Sequence, residues 1–373
     1  MALGTTAAIL AAYDEPLRVE ELELDDPGPN EVRVRIEASG VCHSDWNSVT
    51  GASATRLPAV LGHEGAGVVE AVGGDVSRVS PGDKVVLSWL PTCGRCTACQ
   101  RGRLSLCEVA TADMWAGSLP GGSFRLSRGG ERVYHYSYLS TFARDVVVHE
   151  ACCIPLPQST DLDVAALVGC AVMTGMGAVI NRAKVEPGST VAVFGAGGVG
   201  LSAIMGARLA GAATIIAVEP VESKRRLALE VGATAALDGT DPNLADAVAE
   251  LSPGGLDYAF EAAGKTFLTE LAFGLIRRGG TLVTVGLPPD GSTVSFPGPE
   301  LVRSEKVVTG TFYGSARPQL DMPMILDLYA AGRLPLDRLV TKRYPLEAVN
   351  EAFADMNGGV VARGVLKPWQ GAP

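Results

Sequence analysis

Short apolar runs, some alternating with charged residues, fill the first part of this chain to about residue 165. EVRVRIEAS, GAGVVEAV, DKVVLSW and ARDVVVHEA have the length and make-up of β-strands. Pro27-Gly28-Pro29, Gly73-Gly74 and Pro81-Gly82-Asp83 punctuate them. The pattern predicts a barrel-like or rolled β domain. Residues 111–141 interrupt it with a Gly-rich, aromatic stretch containing Trp115, Tyr134, His135, Tyr136 and Tyr138. This reads as a long inserted loop, and loops of that length usually carry function or move.

From about residue 172 strand-like and helix-like runs alternate. TVAVFG is followed by GLSAIMGARLAGA, TIIAVEP by SKRRLALEVGA, and LDYAFEA by KTFLTELAFGLI, before GTLVTVG. Strands alternating with helices predict a parallel sheet with helices on its faces, the doubly wound α/β class. The last segment, from about residue 313, holds LEAVNEAFADMNGG and ends in ARGVLKP; its pattern fits either domain.

The 373 residues are enough for two cores, and a hydrophobic content of 47% is that of a globular protein. A net charge of −10 works against nucleic acid as a partner, since a phosphate backbone is bound by clustered Lys and Arg. The apolar N-terminal run lacks a basic flank and soon meets Asp14 and Glu15, so neither a leader nor a membrane anchor is expected. A soluble protein of the cytoplasm is the expectation, with thiols kept reduced.

Four of the eight cysteines lie in CGRCTACQRGRLSLC: Cys93, Cys96, Cys99 and Cys107. Thiolates this close suit one tetrahedral zinc, and four protein ligands leave no position for substrate. Such a site braces a lobe. A disulfide pair is the other use of such cysteines, but nothing marks the chain as secreted. Cys42 in GVCHSDW, His63 in LGHEGAG and Cys170 in LVGCAVMTG form a Cys2His set. Three such ligands leave a fourth position for water or a substrate oxygen. Spacing alone does not join residues so far apart, and each also reads as a core residue.

Gly195-Ala196-Gly197-Gly198-Val199-Gly200 follows a predicted strand and opens a predicted helix, fitting G-x-G-x-x-G. These glycines allow a tight turn, backbone approach to a pyrophosphate and close helix–strand packing, with the phosphate at a helix N-terminus. The next strand ends in Glu219, nineteen residues after Gly200. A carboxylate there accepts from both ribose hydroxyls and repels a 2′-phosphate, which favours NAD over NADP. Lys224 lies close enough along the chain to reach the same ribose.

Together with PGDKVV, STFARDVVVHE, VGLPP and ARGVL, these motifs resemble the zinc-dependent medium-chain alcohol dehydrogenases over nearly the whole chain. The resemblance implies a GroES-like β-rich catalytic domain of residues 1–171 and 313–373 around a Rossmann NAD-binding domain of residues 172–312. It implies two zinc ions per chain, the catalytic one on Cys42, His63 and Cys170. It gives Ser44 the first hydroxyl of a proton relay, Asp45 the orienting of His63, and Glu64 a place beside the metal. His43 and Arg363 would contact the pyrophosphate. Thr174, Val199 and Val285 would surround the nicotinamide, with backbone near Leu287, Thr311 and Tyr313 on its carboxamide. Trp89 and Phe142 would line the substrate pocket. The implied reaction is hydride transfer between a small-molecule alcohol or aldehyde and NAD, by a homodimer or homotetramer joined through the cofactor domains.

Asn47 stands where many relatives end the relay in a histidine, five positions after Cys42. An amide takes no proton near neutral pH, so the relay is expected to exit to water or another base. The 111–141 stretch is similar to the long-loop subgroup, which includes thiol-adduct formaldehyde dehydrogenases. Ser53 and Thr55 replace the acids that bind a glutathione adduct there, while a mycothiol adduct stays open. CHSD, LVGC and VVHEA also resemble bacterial enzymes that retain NAD and reoxidise it with an external acceptor. An aromatic or bulky primary alcohol is the expected substrate. A non-catalytic cofactor-binding protein is the rival from another class, and the intact Cys2His set speaks against it.

Overall fold

The computed structural model describes residues 3–371. Its contacts divide the chain into two compact units. One runs to Cys170 and takes in Arg317–Ala330 and the chain from Val340; the other is Ala171–Ala316 with Ala331–Leu339. The chain thus stays with the second unit past residues 312 and 313, and returns to it once more.

In the first unit, strand Glu31–Gly40 buries Val32, Val34, Ile36 and Ala38 completely, while Arg33, Arg35 and Glu37 between them stay partly exposed. This is the period of a strand packed on one face. It lies inside a seven-stranded sheet and pairs antiparallel with Gly65–Val72, Asp145–His149 and Arg363–Lys367. The register sets Ser39 opposite Gly65 and Gly40 opposite Val365. Residues 41–42, 63–64 and 363 are therefore gathered at one end of this sheet.

A second sheet closes into a barrel of Leu3–Leu10, Arg18–Leu24, Leu126–Arg128, Glu131–His135 and Ala59–Val60. Two of those strands come from the 111–141 stretch, which is therefore not a loop. Leu126–Arg128 and Glu131–His135 form a hairpin turned by Gly129 and Gly130 at φ 57° and 80°, and helix Glu108–Met114 enters the segment. A two-glycine turn with both residues left-handed matches the twist of a hairpin. Strands this short leave no periodicity to read.

The closing segment also belongs here. Val340–Pro345 and Arg363–Lys367 join the seven-stranded sheet. Helix Val349–Asn357 packs Phe353 against Phe142 and Trp46, with ring centroids 6.1 and 5.5 Å apart.

The second unit is a six-stranded parallel sheet in the order Ala235–Leu237, Thr214–Val218, Thr190–Phe194, Leu256–Glu261, Ile276–Thr284, Val307–Gly310. Counted along the chain that order is 3-2-1-4-5-6, the dinucleotide-binding arrangement, in which ligand sits where the order reverses. The reversal lies between Thr190–Phe194 and Leu256–Glu261. All four strands read from the sequence are present. Ala235–Leu237 and Val307–Gly310 were not foreseen, being short and at the two sheet edges.

The helical run Leu162–Ala183 is long and apolar enough to cross a membrane, but 89% of its most apolar stretch is buried inside the protein. It is a core helix, and two stretches of it are π-helical.

Candidate active site and metal centres

Cys93, Cys96, Cys99 and Cys107 bring their sulfur atoms within 4.8 Å of one another. Gly94 and Gly102, at φ 70° and 73°, let the chain double back between them. Cys96 Sγ and Cys107 Sγ are 3.9 Å apart; tetrahedral zinc with bonds of ~2.3 Å separates its sulfurs by about 3.8 Å. The N–H groups of Cys96 and Arg95 point at Cys93 Sγ, at 3.3 and 3.5 Å. Backbone donors from Cys99 and Glu108 hold the Cys96 thiol down to about 6, whereas burial pushes Cys99 up to about 12. Thiols this close ionise together only around a cation, so the donor set fits zinc. All eight cysteines are free, so no disulfide competes among the described residues.

The second group is Cys42, His63, Glu64 and Cys170, all buried, with ligand atoms again within 4.8 Å of one another. Cys42 caps the short helix His43–Val49. Cys170 sits in the π-helical turn Val168–Val172, the kind of local irregularity that recurs at functional sites. Asp45 is wholly buried and ties the pieces together. Its Oδ2 accepts from Cys42 N–H (3.2 Å); its Oδ1 accepts from Gly62 N–H (3.1 Å) and lies 3.0 Å from His63 Nδ1. A carboxylate on Nδ1 fixes the ring and leaves Nε2 for a metal.

These buried groups act strongly on one another's protons. Cys42 lies well below the ordinary thiol value because of its hydrogen bond to Cys170, and Cys170 well above it for the same reason. Burial drives His63 down, but Asp45 and Cys42 outweigh it and hold the ring well above its usual value. Burial also lifts Glu64 to about 7, against the pull of Arg363, which forms a buried ion pair with it. Gly40 makes room: a Cβ there would stand 2.0 Å from Glu64 Oε2.

In the second unit the glycine turn stands at the C-terminal end of Thr190–Phe194 and opens helix Gly198–Leu209. Gly195 is left-handed at φ 97°. A Cβ on Gly200 would fall 1.8 Å from Gly195 O, while one on Gly197 would meet nothing within 4 Å. Thus Gly200 is demanded by backbone packing, and Gly197 faces open space where a pyrophosphate would lie. Glu219 spans the turn: its Oε2 accepts from Ala196 N–H (2.8 Å) and its Oε1 from Val221 N–H (3.1 Å).

Residues 28–158 match the family model of the alcohol dehydrogenase GroES-like domain, and residues 198–331 that of the zinc-binding dehydrogenases. The chain belongs to the zinc-binding alcohol dehydrogenases. It is 43% identical to the NDMA-dependent alcohol dehydrogenase of Amycolatopsis methanolica, over 98% of this chain and 99% of that one. It is 41% identical to putative alcohol dehydrogenase D of Mycobacterium tuberculosis, over 98% and 100%. Two crystal structures superpose closely. They are an alcohol dehydrogenase zinc-binding domain protein from Burkholderia ambifaria (TM-score 0.94, 38% identity, 98% and 99% covered) and benzyl alcohol dehydrogenase from Acinetobacter calcoaceticus (TM-score 0.93, 32% identity, 98% and 99% covered).

Within the dehydrogenase the other residues singled out from sequence are dispersed. His43 and Ser44 are exposed, with Ser44 Oγ 3.8 Å from Cys42 Sγ. Trp89 is nearly buried beyond strand Lys84–Leu87. Phe142 is fully buried in the apolar core with Phe353, Tyr344 and Leu61, so its ring serves packing. In the second unit Thr174, Val199, Val285 and Thr311 are half-buried, Tyr313 is buried and Leu287 is exposed. Lys224 is half-buried, whereas Arg225, not singled out, donates to the Glu219 and Pro220 carbonyls at 2.8 and 2.6 Å.

Arg363, expected at the pyrophosphate, is buried and held by Glu64, a pairing across 299 positions that no local pattern signals. Two other residues were missed. Tyr136 donates from its hydroxyl to Ser44 O (3.0 Å) and sets its ring edge-on to His63, centroids 5.7 Å apart. Thr55 Oγ1 donates to Ser48 Oγ (2.9 Å), bracing the helix that carries Ser44. The aromatic cluster of the insertion was visible, but not which ring would reach the site.

Proposed function

We propose that this alcohol dehydrogenase moves hydride between a primary alcohol, aromatic or bulky, and NAD, with the catalytic zinc on Cys42, His63 and Cys170. The observation that carries the reading is the buried Cys2His set whose imidazole is turned by Asp45. Zinc in that set supplies Lewis-acid polarisation of the substrate oxygen. NAD supplies the hydride acceptor. Ser44 takes the alcohol proton on its exposed side and passes it to water, because Asn47 cannot carry it further. Glu64 and Arg363 hold one another beside the ligands. The glycine turn receives the pyrophosphate, and Glu219, already fixed to that turn, accepts from the ribose hydroxyls and excludes a 2′-phosphate. Cys93, Cys96, Cys99 and Cys107 hold the second zinc and take no part in the chemistry.

The NDMA-dependent relative supports a cofactor that stays bound and is reoxidised by an external acceptor, and the benzyl alcohol dehydrogenase likeness supports an aromatic substrate. Ser53 and Thr55 carry no charge, which speaks against a glutathione adduct. A discontinuous catalytic domain around an inserted cofactor domain, a dimer or tetramer joined through the cofactor domains, and a cytoplasmic setting complete the proposal.

The test is to add benzyl alcohol to the purified protein without NAD and follow absorbance at about 340 nm, where reduced nicotinamide absorbs. A stoichiometric band supports retained NAD and an aromatic substrate. A band only after NAD is supplied points to a dissociable cofactor. Cys170→Ala should keep NAD binding and lose turnover; turnover that persisted would refute the zinc reading.

A further inference from the structure

We propose that Tyr136 is a positioning residue of the catalytic centre, delivered by the 126–140 segment so that its phenol locks the Ser44 carbonyl and its ring steadies His63. The inference rests on reading Cys42, His63 and Cys170 as the metal ligands.

The hydroxyl reaches the one helix that carries Ser44 and Asp45 and is capped by Cys42. Ser48 Oγ lies 3.4 Å from the same Ser44 carbonyl and also bonds the phenol, and Thr55 Oγ1 donates to Ser48 Oγ at 2.9 Å. Three hydroxyl groups in series therefore end on one backbone oxygen, two residues from Cys42. On its other side the Tyr136 ring meets His63 edge-on at 73°, while Asp45 holds Nδ1 of the same imidazole. His63 is thus gripped at two points, and only one of them is the carboxylate foreseen from sequence.

The backbone carries an independent sign. Ser137, Tyr138 and Ser140 have φ of 49°, 64° and 52°. Left-handed backbone is unfavourable for residues with a Cβ, and such strain persists where surroundings over-determine it, most often near functional sites. Here Tyr138 is buried with its hydroxyl on Ala110 O, and Ser140 Oγ accepts from Tyr136 N–H at 3.1 Å. The strained turn brings Tyr136 in from the barrel hairpin, and its side chain ends on catalytic-helix backbone.

The experiment uses the zinc-loaded protein with Tyr136→Phe, which keeps the ring and removes the hydroxyl. Zinc transfer to a chromogenic chelator is timed, and kcat and KM for a primary alcohol are measured alongside. One of the two zinc equivalents should leave about five- to tenfold faster, the size of one neutral hydrogen bond. The other equivalent, in the four-cysteine lobe, should leave at the wild-type rate. kcat should fall with bound NAD unchanged, and the melting temperature should hold. Should that variant fail to fold, Ser48→Ala removes the phenol's partner and should show the same changes at smaller size. Wild-type zinc release together with wild-type kcat would overturn the inference. A wild-type protein that turns over no alcohol, while Tyr136→Phe still loosens one zinc, would uphold the positioning role and refute the proposed function.

Discussion

Lowering the pH from 7 to 5 should weaken this fold through His135, a residue that touches no metal. Its imidazole is buried in the hairpin Leu126–His135, where Nε2 accepts from Arg125 N–H at 3.1 Å and Nδ1 lies 3.5 Å from Ser140 Oγ. Burial holds it down to about 4 against the pull of Glu31, with Arg125 adding to the depression; its ordinary value is 6.5. At pH 7 the ring is neutral whether the chain is folded or not. As pH falls through 6.5 the unfolded chain takes up a proton that the folded chain refuses until about 4, so stability is lost across that window. Each pH unit inside it costs ~1.4 kcal/mol, which makes the loss between pH 7 and 5 about 2 kcal/mol. His135→Gln removes the titration and keeps an acceptor for Arg125 N–H. Urea unfolding of both proteins, with equal zinc, should show the wild type losing about 2 kcal/mol more than the variant over that interval. Acid loss of zinc is common to both and drops out of the difference. Equal losses in the two proteins would refute the reasoning.

Three other changes have defined outcomes. Asp45→Asn keeps the shape but leaves an amide among three donors, so zinc affinity at this centre should fall roughly 10- to 100-fold by chelator competition. Gly200→Ala sets a Cβ 1.8 Å from Gly195 O, a backbone atom that cannot yield cheaply. NAD binding, read by quenching of protein fluorescence, should disappear while the four-cysteine zinc stays. Cys107→Ser should lower bound zinc from two equivalents to one by elemental analysis and leave NAD binding intact.

How much of this was legible depended on distance along the chain. Cys93, Cys96, Cys99 and Cys107 lie within one short run, and the glycine turn joins a strand to its own helix, so spacing reports geometry directly. Cys42, His63 and Cys170 were brought together only by family resemblance, because strand register and the packing of a helix, not local pattern, place them. Arg363 beside Glu64 follows from Gly40 facing Val365, which no run of residues announces. Phe142 was placed at the expected pocket by resemblance, and its neighbours in the core are Phe353 and Leu61. Arg225 was not singled out, because spacing does not tell that its guanidinium turns back onto Glu219 O.

The hairpin Leu126–His135 also guards the protein against its own kind. It fills the gap between Arg18–Leu24 and Ala59–Val60, so the five-stranded barrel has no open rim. Without it, both strands would show rows of unpaired N–H and C=O groups, the template on which chains stack edge to edge. An inserted segment that looks expendable in the sequence is thus what keeps the barrel from recruiting strands of neighbouring molecules. Shortening it would invite aggregation.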